Sequence, residues 1–338
     1  MRLLSYLSFV PDKPAKTYID RQLAHLHNLL AEHPEDKVQL MHNILVYMFC
    51  KDPDEIIRYA FELLEADQEM EYTDEIYISL ARAYADKNEP NQAIEYYRKS
   101  IAIDPASSEI IYDLADLYVK QKDIDGALSA YDYLDNEAIE FGKEDMYRCK
   151  GTLYYNRMEY DKALDCYQRA YELSTDASDT WIIESLGETY WQMKNFKESS
   201  TWFKKALEIN QQSWNAHYGL GLCYQNTGDA YRALHHYFEV IKLKPDFSNA
   251  YINIAAVTIN QEGDIKKGIE MLTKALENNN DKNTLSLIYQ NLSRVYHRTL
   301  EYDLAEYYKK EFIKSVGLEG LFPEYNDDDS DNDGDIEI

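Results

Sequence analysis

The sequence predicts an all-α chain, an α-solenoid of antiparallel helix pairs stacked one upon the next, and three observations predict it. One skeleton of small and large residues recurs seven times at a spacing of about 34 residues. Within each copy the small and large residues fall three or four apart, so they share one face of a helix that turns every ~3.6 residues. Twelve glycines and eight prolines among 338 residues are few, which suits helices joined by tight turns and argues against a sheet-rich or disordered chain.

The first full copy reads Tyr77, Leu80, Ala81, Tyr84, Ala93, Tyr97 and Pro105. It returns as Ile111, Leu114, Ala115, Tyr118, Ala127 and Tyr131, then as Tyr147, Gly151, Tyr154, Ala163 and Tyr167. A fourth reads Ile183, Leu186, Gly187, Tyr190, Phe203 and Ala206, and a fifth reads Leu220, Gly221, Tyr224, Ala233, Tyr237 and Pro245. Two looser copies follow, one with an extra residue near Gly263 and one running Tyr289, Leu292, Ser293, Tyr296 and Ala305. Two helices crossing closely need small residues at the crossing and large ones beside it. Gly151, Gly187 and Gly221 on the first helix, with Ala93, Ala127, Ala163 and Ala233 on the second, meet that need. Connectors such as Lys87-Asn88-Glu89-Pro90 and Thr227-Gly228-Asp229 leave room only for a tight reversal, and Pro105 and Pro245 end the second helix.

These residues resemble the tetratricopeptide repeat family from Asp74 to Lys314. The resemblance implies helix pairs stacked into a right-handed superhelix. It divides the chain into five units at 74–107, 108–143, 144–179, 180–213 and 214–247, then degenerate units at 248–285 and 286–325, the last with a capping helix. Three positions depart from the pattern: Ser199 and Gly268 stand where alanine is usual, and Lys309 stands where an aromatic belongs.

Residues 1–73 are helical in pattern but carry little of the repeat, and read as divergent helices closing the N-terminal end of the stack. Pro14 opens a helix with the apolar stripe Ile19, Leu23, Leu26 and Leu30; a pair follows at 38–49 and 55–64, with Asp54 as its cap behind Pro53. Met1 to Val10 lacks a small-residue cleavage site and reads as no export signal. Residues 326–338 are acidic and too poor in apolar surface to fold. They hold half of a calcium loop, Asp329 to Asp335, without the closing glutamate or an exiting helix.

The formal net charge is −26, and the stretch from Asp327 to Glu337 holds seven of the acids. Such a field repels phosphates, which argues against nucleic acid and anionic membranes and favours a neutral or basic protein or peptide partner. No segment is apolar enough to insert in a membrane, and the chain reads as cytoplasmic. Thirty-one tyrosines are an excess that the repeat itself explains, since it places Tyr at three of its positions. Cys50, Cys149, Cys166 and Cys223 form no Cys-x-x-Cys pair and read as reduced thiols. His25, His27 and His33, and the neighbours His235 and His236, are not spaced for a metal, and no phosphate loop or nucleophile motif is present. The sequence thus predicts no enzyme, no metal and no cofactor.

Binding remains, and the resemblance implies where. In the family the first helix of each pair lines the concave face at the second, fifth, sixth, ninth, twelfth and thirteenth positions. Here those positions give a middle zone of Arg148, Thr152, Tyr155, Asn156, Trp181, Glu184, Glu188, Trp191, Gln192, Asn215 and Tyr218, suited to an apolar or cationic side chain. A later zone of amides contains Gln225, Asn226, Asn249, Asn253, Asn260, Gln290 and Asn291, with Arg294; it suits an extended backbone. The carboxylate clamp of one branch of the family maps to Ile78, Arg82, Asp113, Asp145 and Cys149, where two acids would repel the ligand. The expected function is a non-catalytic interaction scaffold. A regulatory peptide-sensing subunit and an assembly or chaperone-like factor for a basic client are the alternatives.

Overall fold

The structure, a computed structural model, describes residues 13–48, 51–105, 108–136, 142–176, 178–278 and 281–318. The start of the chain, Cys50, and the acidic stretch with its half calcium loop therefore lie outside the described residues. Among the described residues there are seventeen α-helices and no strand. They are α1 Lys13–Glu32, α2 Lys37–Tyr47, α3 Pro53–Ala66, α4 Thr73–Asp86, α5 Pro90–Ile103, α6 Ser108–Lys120, α7 Ile124–Asn136, α8 Lys143–Asn156 and α9 Tyr160–Leu173. Then come α10 Thr180–Gln192, α11 Phe196–Ile209, α12 Trp214–Asn226, α13 Ala230–Leu243, α14 Ser248–Val257, α15 Ile265–Glu277, α16 Lys282–Arg298 and α17 Tyr302–Ser315. The chain forms two compact units, one through Leu153 and one from Tyr154, and each packs its helices in chain order.

In the first unit α1 to α4 share a core of Ile19, Leu23, Ile44, Leu63, Ile76 and Leu80. The cap of α3 is Asp52, whose carboxylate accepts from the Asp54 amide, and not Asp54 itself. Pro53 explains the shift: it occupies the first helical position, where its missing N–H costs nothing, so the cap must precede it.

Six of the turns between paired helices close alike. Asn88, Lys122, Met158, Lys194, Gly228 and Leu300 each take a left-handed φ of 59–81°. The next amide in each case donates back to the carbonyl of Tyr84, Tyr118, Tyr154, Tyr190, Tyr224 or Tyr296, at 2.9–3.0 Å. This is the Schellman closure, and five of the six left-handed residues carry a Cβ that disfavours it. Leu300 is 68% exposed, so its side chain contributes little packing. Leu300→Gly should accordingly raise stability by about 0.5–1 kcal/mol, read as a higher urea midpoint.

The second unit shows why glycine and a large ring alternate. Phe203 on α11 is 1% exposed and lies between two glycines: a Cβ on Gly187 of α10 would come within 3.0 Å of its ring, and one on Gly219 of α12 within 2.3 Å. Tyr237 fills the corresponding space against Gly221, where a Cβ would lie 2.4 Å away. Ser199 keeps the close crossing because its hydroxyl donates to the Gly187 carbonyl at 2.8 Å, leaving no buried orphan.

The looser copies have local causes. The extra residue of the sixth copy is absorbed in the helix, where Thr258–Glu262 winds as one π turn ending at left-handed Gly263. That turn pushes Ile259 toward α15, where a Cβ on residue 268 would lie 2.2 Å from Ile259 Cγ1; Gly268 is the residue that fits. In the seventh copy Lys309 is exposed, and Tyr308, one residue earlier, is buried and stacks on Tyr296 at 5.6 Å.

Candidate interaction face

Successive first helices of the second unit are tied by polar side chains. Ser213 caps α12 by accepting from the Ala216 amide, and its hydroxyl also reaches Glu184 of α10 at 2.5 Å. Asn215, two residues on, donates through one amide nitrogen to Glu184 at 2.9 Å and to Glu188 at 3.1 Å. Glu184 and Glu188 lie four residues apart on one helix face. Both are half-buried, and among the described residues neither is joined to a lysine or arginine. Burial pushes the Glu188 carboxyl above the usual carboxylate range, against the Asn215 hydrogen bond that lowers it. Beside this pair Gln192 donates to the Tyr155 hydroxyl at 3.1 Å, and farther along Asn253 donates to the Tyr218 hydroxyl at 3.1 Å.

The remaining candidates are placed as follows. Trp181 is 40% exposed and meets Tyr167 edge-on at 5.7 Å, so one edge of its ring packs while the rest faces outward. Trp191 is half-buried in the cluster of Ile183, Phe203 and Leu220, with its indole N–H buried and unpartnered among the described residues. Asn156 and Arg294 are exposed at the end of α8 and on α16, and Asn291 is half-buried. The exposed Asn226 amide turns back to its own helix, on the Leu222 carbonyl at 2.9 Å. Asn260 sits in the π turn, off the α-helical register that its position in the repeat implied. No hydrogen bond joins Asn253, Asn260 and Asn291 to one another among the described residues. In the first unit Arg82 is held by Asp113 at 2.7 Å and Glu109 at 2.8 Å, so its guanidinium is already neutralised within the fold.

Two features escape a reading of the sequence. Ser213 looks like an ordinary cap, and only the fold shows that it also holds Glu184. His217 is 19 residues from His236, yet their Nδ1 atoms lie 3.0 Å apart, and His217 Nε2 lies 3.3 Å from the Gln211 carbonyl. Both contacts are satisfied together when His217 carries its proton on Nε2 and His236 on Nδ1. The signal was the repeat register: Tyr77 with Tyr96 and Tyr289 with Tyr308 have the same separation and also pair, at 5.8 and 6.2 Å. Burial, with neighbouring His217, His235 and Lys204, depresses His236 to about 4, and burial lowers His217 as well. The unfolded chain therefore binds the proton that the fold refuses, and stability falls as pH drops from about 6.5 to about 4. His236→Gln should flatten that part of the pH dependence relative to the parent, measured as urea midpoints across the interval.

Among the described residues, three metal-capable side chains meet within reach of one ion only at His33, Glu35 and Asp36, all exposed, and His33 Nδ1 lies 3.0 Å from Glu35. No described helix is long and apolar enough to cross a membrane.

Residues 84–138, 143–212 and 202–235 match three models of the tetratricopeptide repeat. Those residues therefore carry tetratricopeptide repeats, in keeping with the paired helices they form. The chain is 26% identical over 117 residues to anaphase-promoting complex subunit 3 of Schizosaccharomyces pombe, a match covering 35% of this chain and 17% of that one. It is 22% identical over 244 residues to the BBSome complex member BBS4 of Bos taurus, covering 70% and 44%. The chain thus spans less than half the length of either curated relative. Among solved structures, a tetratricopeptide repeat protein from Parabacteroides merdae superposes with a TM-score of 0.56 at 18% identity, over 75% of this chain and 96% of that one. That likeness is one of fold.

Proposed function

We propose that this chain is a non-catalytic scaffold that binds a protein or peptide along the first helices of its second unit, the side that is concave in the family. A lysine or arginine of the partner is held between Glu184 and Glu188. One observation carries this reading: the two half-buried carboxylates are held by the neutral groups of Ser213 and Asn215 and, among the described residues, are joined to no lysine or arginine. A partly desolvated charge pair of one sign gains most from an incoming opposite charge, and Trp181 and Tyr155 beside it offer faces to the aliphatic stem of that side chain. Tyr218 and Asn253 extend the same face for neighbouring parts of the partner.

The test is capture of partners from source-cell lysate by the intact chain and by Glu184→Gln/Glu188→Gln, with Trp181→Ala as a separate bait. Partners specific to the parent should be lost from the double variant and weaken at high salt, while circular dichroism stays unchanged. Retention of every partner by the double variant would sink this reading. Trp191 is unsuitable for this purpose, because its ring shares the core with Phe203.

A further inference from the structure

We infer a second, independent binding site in the first unit, a slot between α5, α6 and α7 that receives an aromatic side chain flanked by lysine or arginine on a partner segment. The repeat register defines the slot. In three copies a ring on the second helix lies between two side chains of the first. Tyr96 lies between Tyr77 and Tyr84 at 5.8 and 5.6 Å, His236 between His217 and Tyr224 at 5.3 and 5.6 Å, and Tyr308 between Tyr289 and Tyr296 at 6.2 and 5.6 Å. The second copy places Ile111 and Tyr118 on the first helix in the same register, but the residue between them is Ala130. A groove of about 530 Å³ opens there, lined by Ile111, Leu114, Tyr118, Ala130 and Tyr133. It is within the ~300–1,000 Å³ typical of ligand pockets.

Two details keep the groove formed. Gly126 lets α7 approach the Tyr118 ring, since a Cβ there would lie 2.6 Å from its Cδ1. Arg98 holds the ring by donating to its hydroxyl at 2.8 Å. The missing group is therefore one flat ring in the place that rings occupy elsewhere in this molecule, where offset stacking adds to apolar burial. Asp123 and Asp125, both exposed, line the same groove together with Arg98, and two carboxylates against one guanidinium favour a basic neighbour on the incoming segment.

The probe pair is acetyl-Lys-Trp-Lys-amide and acetyl-Lys-Ala-Lys-amide, titrated against the full chain with amide chemical shifts as readout. The tryptophan peptide should shift Gly126, Ala130 and Tyr133 and saturate, and the alanine peptide should bind about tenfold more weakly or not at all. Ala130→Tyr supplies the missing ring from within and should abolish the response without lowering the unfolding midpoint. If that variant fails to fold, Ala130→Met fills the slot with a flexible chain and should also abolish it. Equal responses to the two peptides, shifts confined to other surfaces, or a response that survives a folded Ala130 variant would each overturn the proposal. So would a groove closed by a second copy, seen as doubled mass in sedimentation with no response to either peptide. Because Glu184 and Glu188 lie on the other unit, Glu184→Gln/Glu188→Gln should leave the response intact, which separates this site from the scaffold reading above.

Discussion

Phe203→Ala should destabilise the second unit by about 3–5 kcal/mol, the largest loss we anticipate for any single substitution. The ring is 1% exposed and fills the space between Gly187 of α10 and Gly219 of α12, so its removal empties the contact of three helices at once. Collapse into that void is limited, because the glycines already let the backbones approach as closely as the ring allows. In a stack, each pair relies on its neighbours for burial, and a void at such a contact weakens both. Urea unfolding checks this: the midpoint should fall sharply while Phe203→Leu, which keeps most of the volume, loses much less. A loss below about 1 kcal/mol would mean that neighbouring side chains refill the space.

Gly268→Ala should cost about 1–3 kcal/mol, although alanine is the better helix former by roughly 1 kcal/mol. The new methyl would lie 2.2 Å from Ile259 Cγ1, and Ile259 is held by the π turn and buried at 7% exposure. Neither helix can retreat without disturbing the core that Leu272 and Ala275 share with Tyr251 and Ile254. A double-mutant cycle isolates the cause. Ile259→Ala alone removes packing, yet combined with Gly268→Ala it should relieve the clash, leaving the pair less destabilised than the sum by about 1 kcal/mol. Strict additivity would show that the glycine serves some other end, such as the flexibility of the α15 start.

Much of the architecture is written locally. The spacing of Tyr77, Leu80, Ala81 and Tyr84 specifies a helical face by itself, and the alanines at 93, 127, 163 and 233 mark where a second helix crosses, because contact distance depends on side-chain size. The cap of α3 lies at Asp52, two residues before the expected Asp54, since a proline hides which neighbour lies outside the helix. The extra residue near Gly263 could have entered a loop or a helix with equal local ease; packing of Ile259 onto α15 settled it as a π turn. Gly219 carries no signal within its own repeat, because the ring it accommodates, Phe203, belongs to the preceding one.

The candidate face divides the same way. Which residues occupy its repeat positions was legible, for Trp181, Glu184, Glu188 and Tyr218 alike. How each is engaged was not: Trp191 turns into the core, Asn226 bonds its own helix, Asn215 and Ser213 reach back to the glutamates, and His217 finds His236 across the hairpin. The sequence by itself determined that this chain is helical, paired and repetitive, because those properties follow from the turn of a single helix and the size of its side chains. Only the tertiary structure decided which polar groups on the candidate face are hydrogen-bonded and to what, because those bonds come from neighbouring helices far away along the chain.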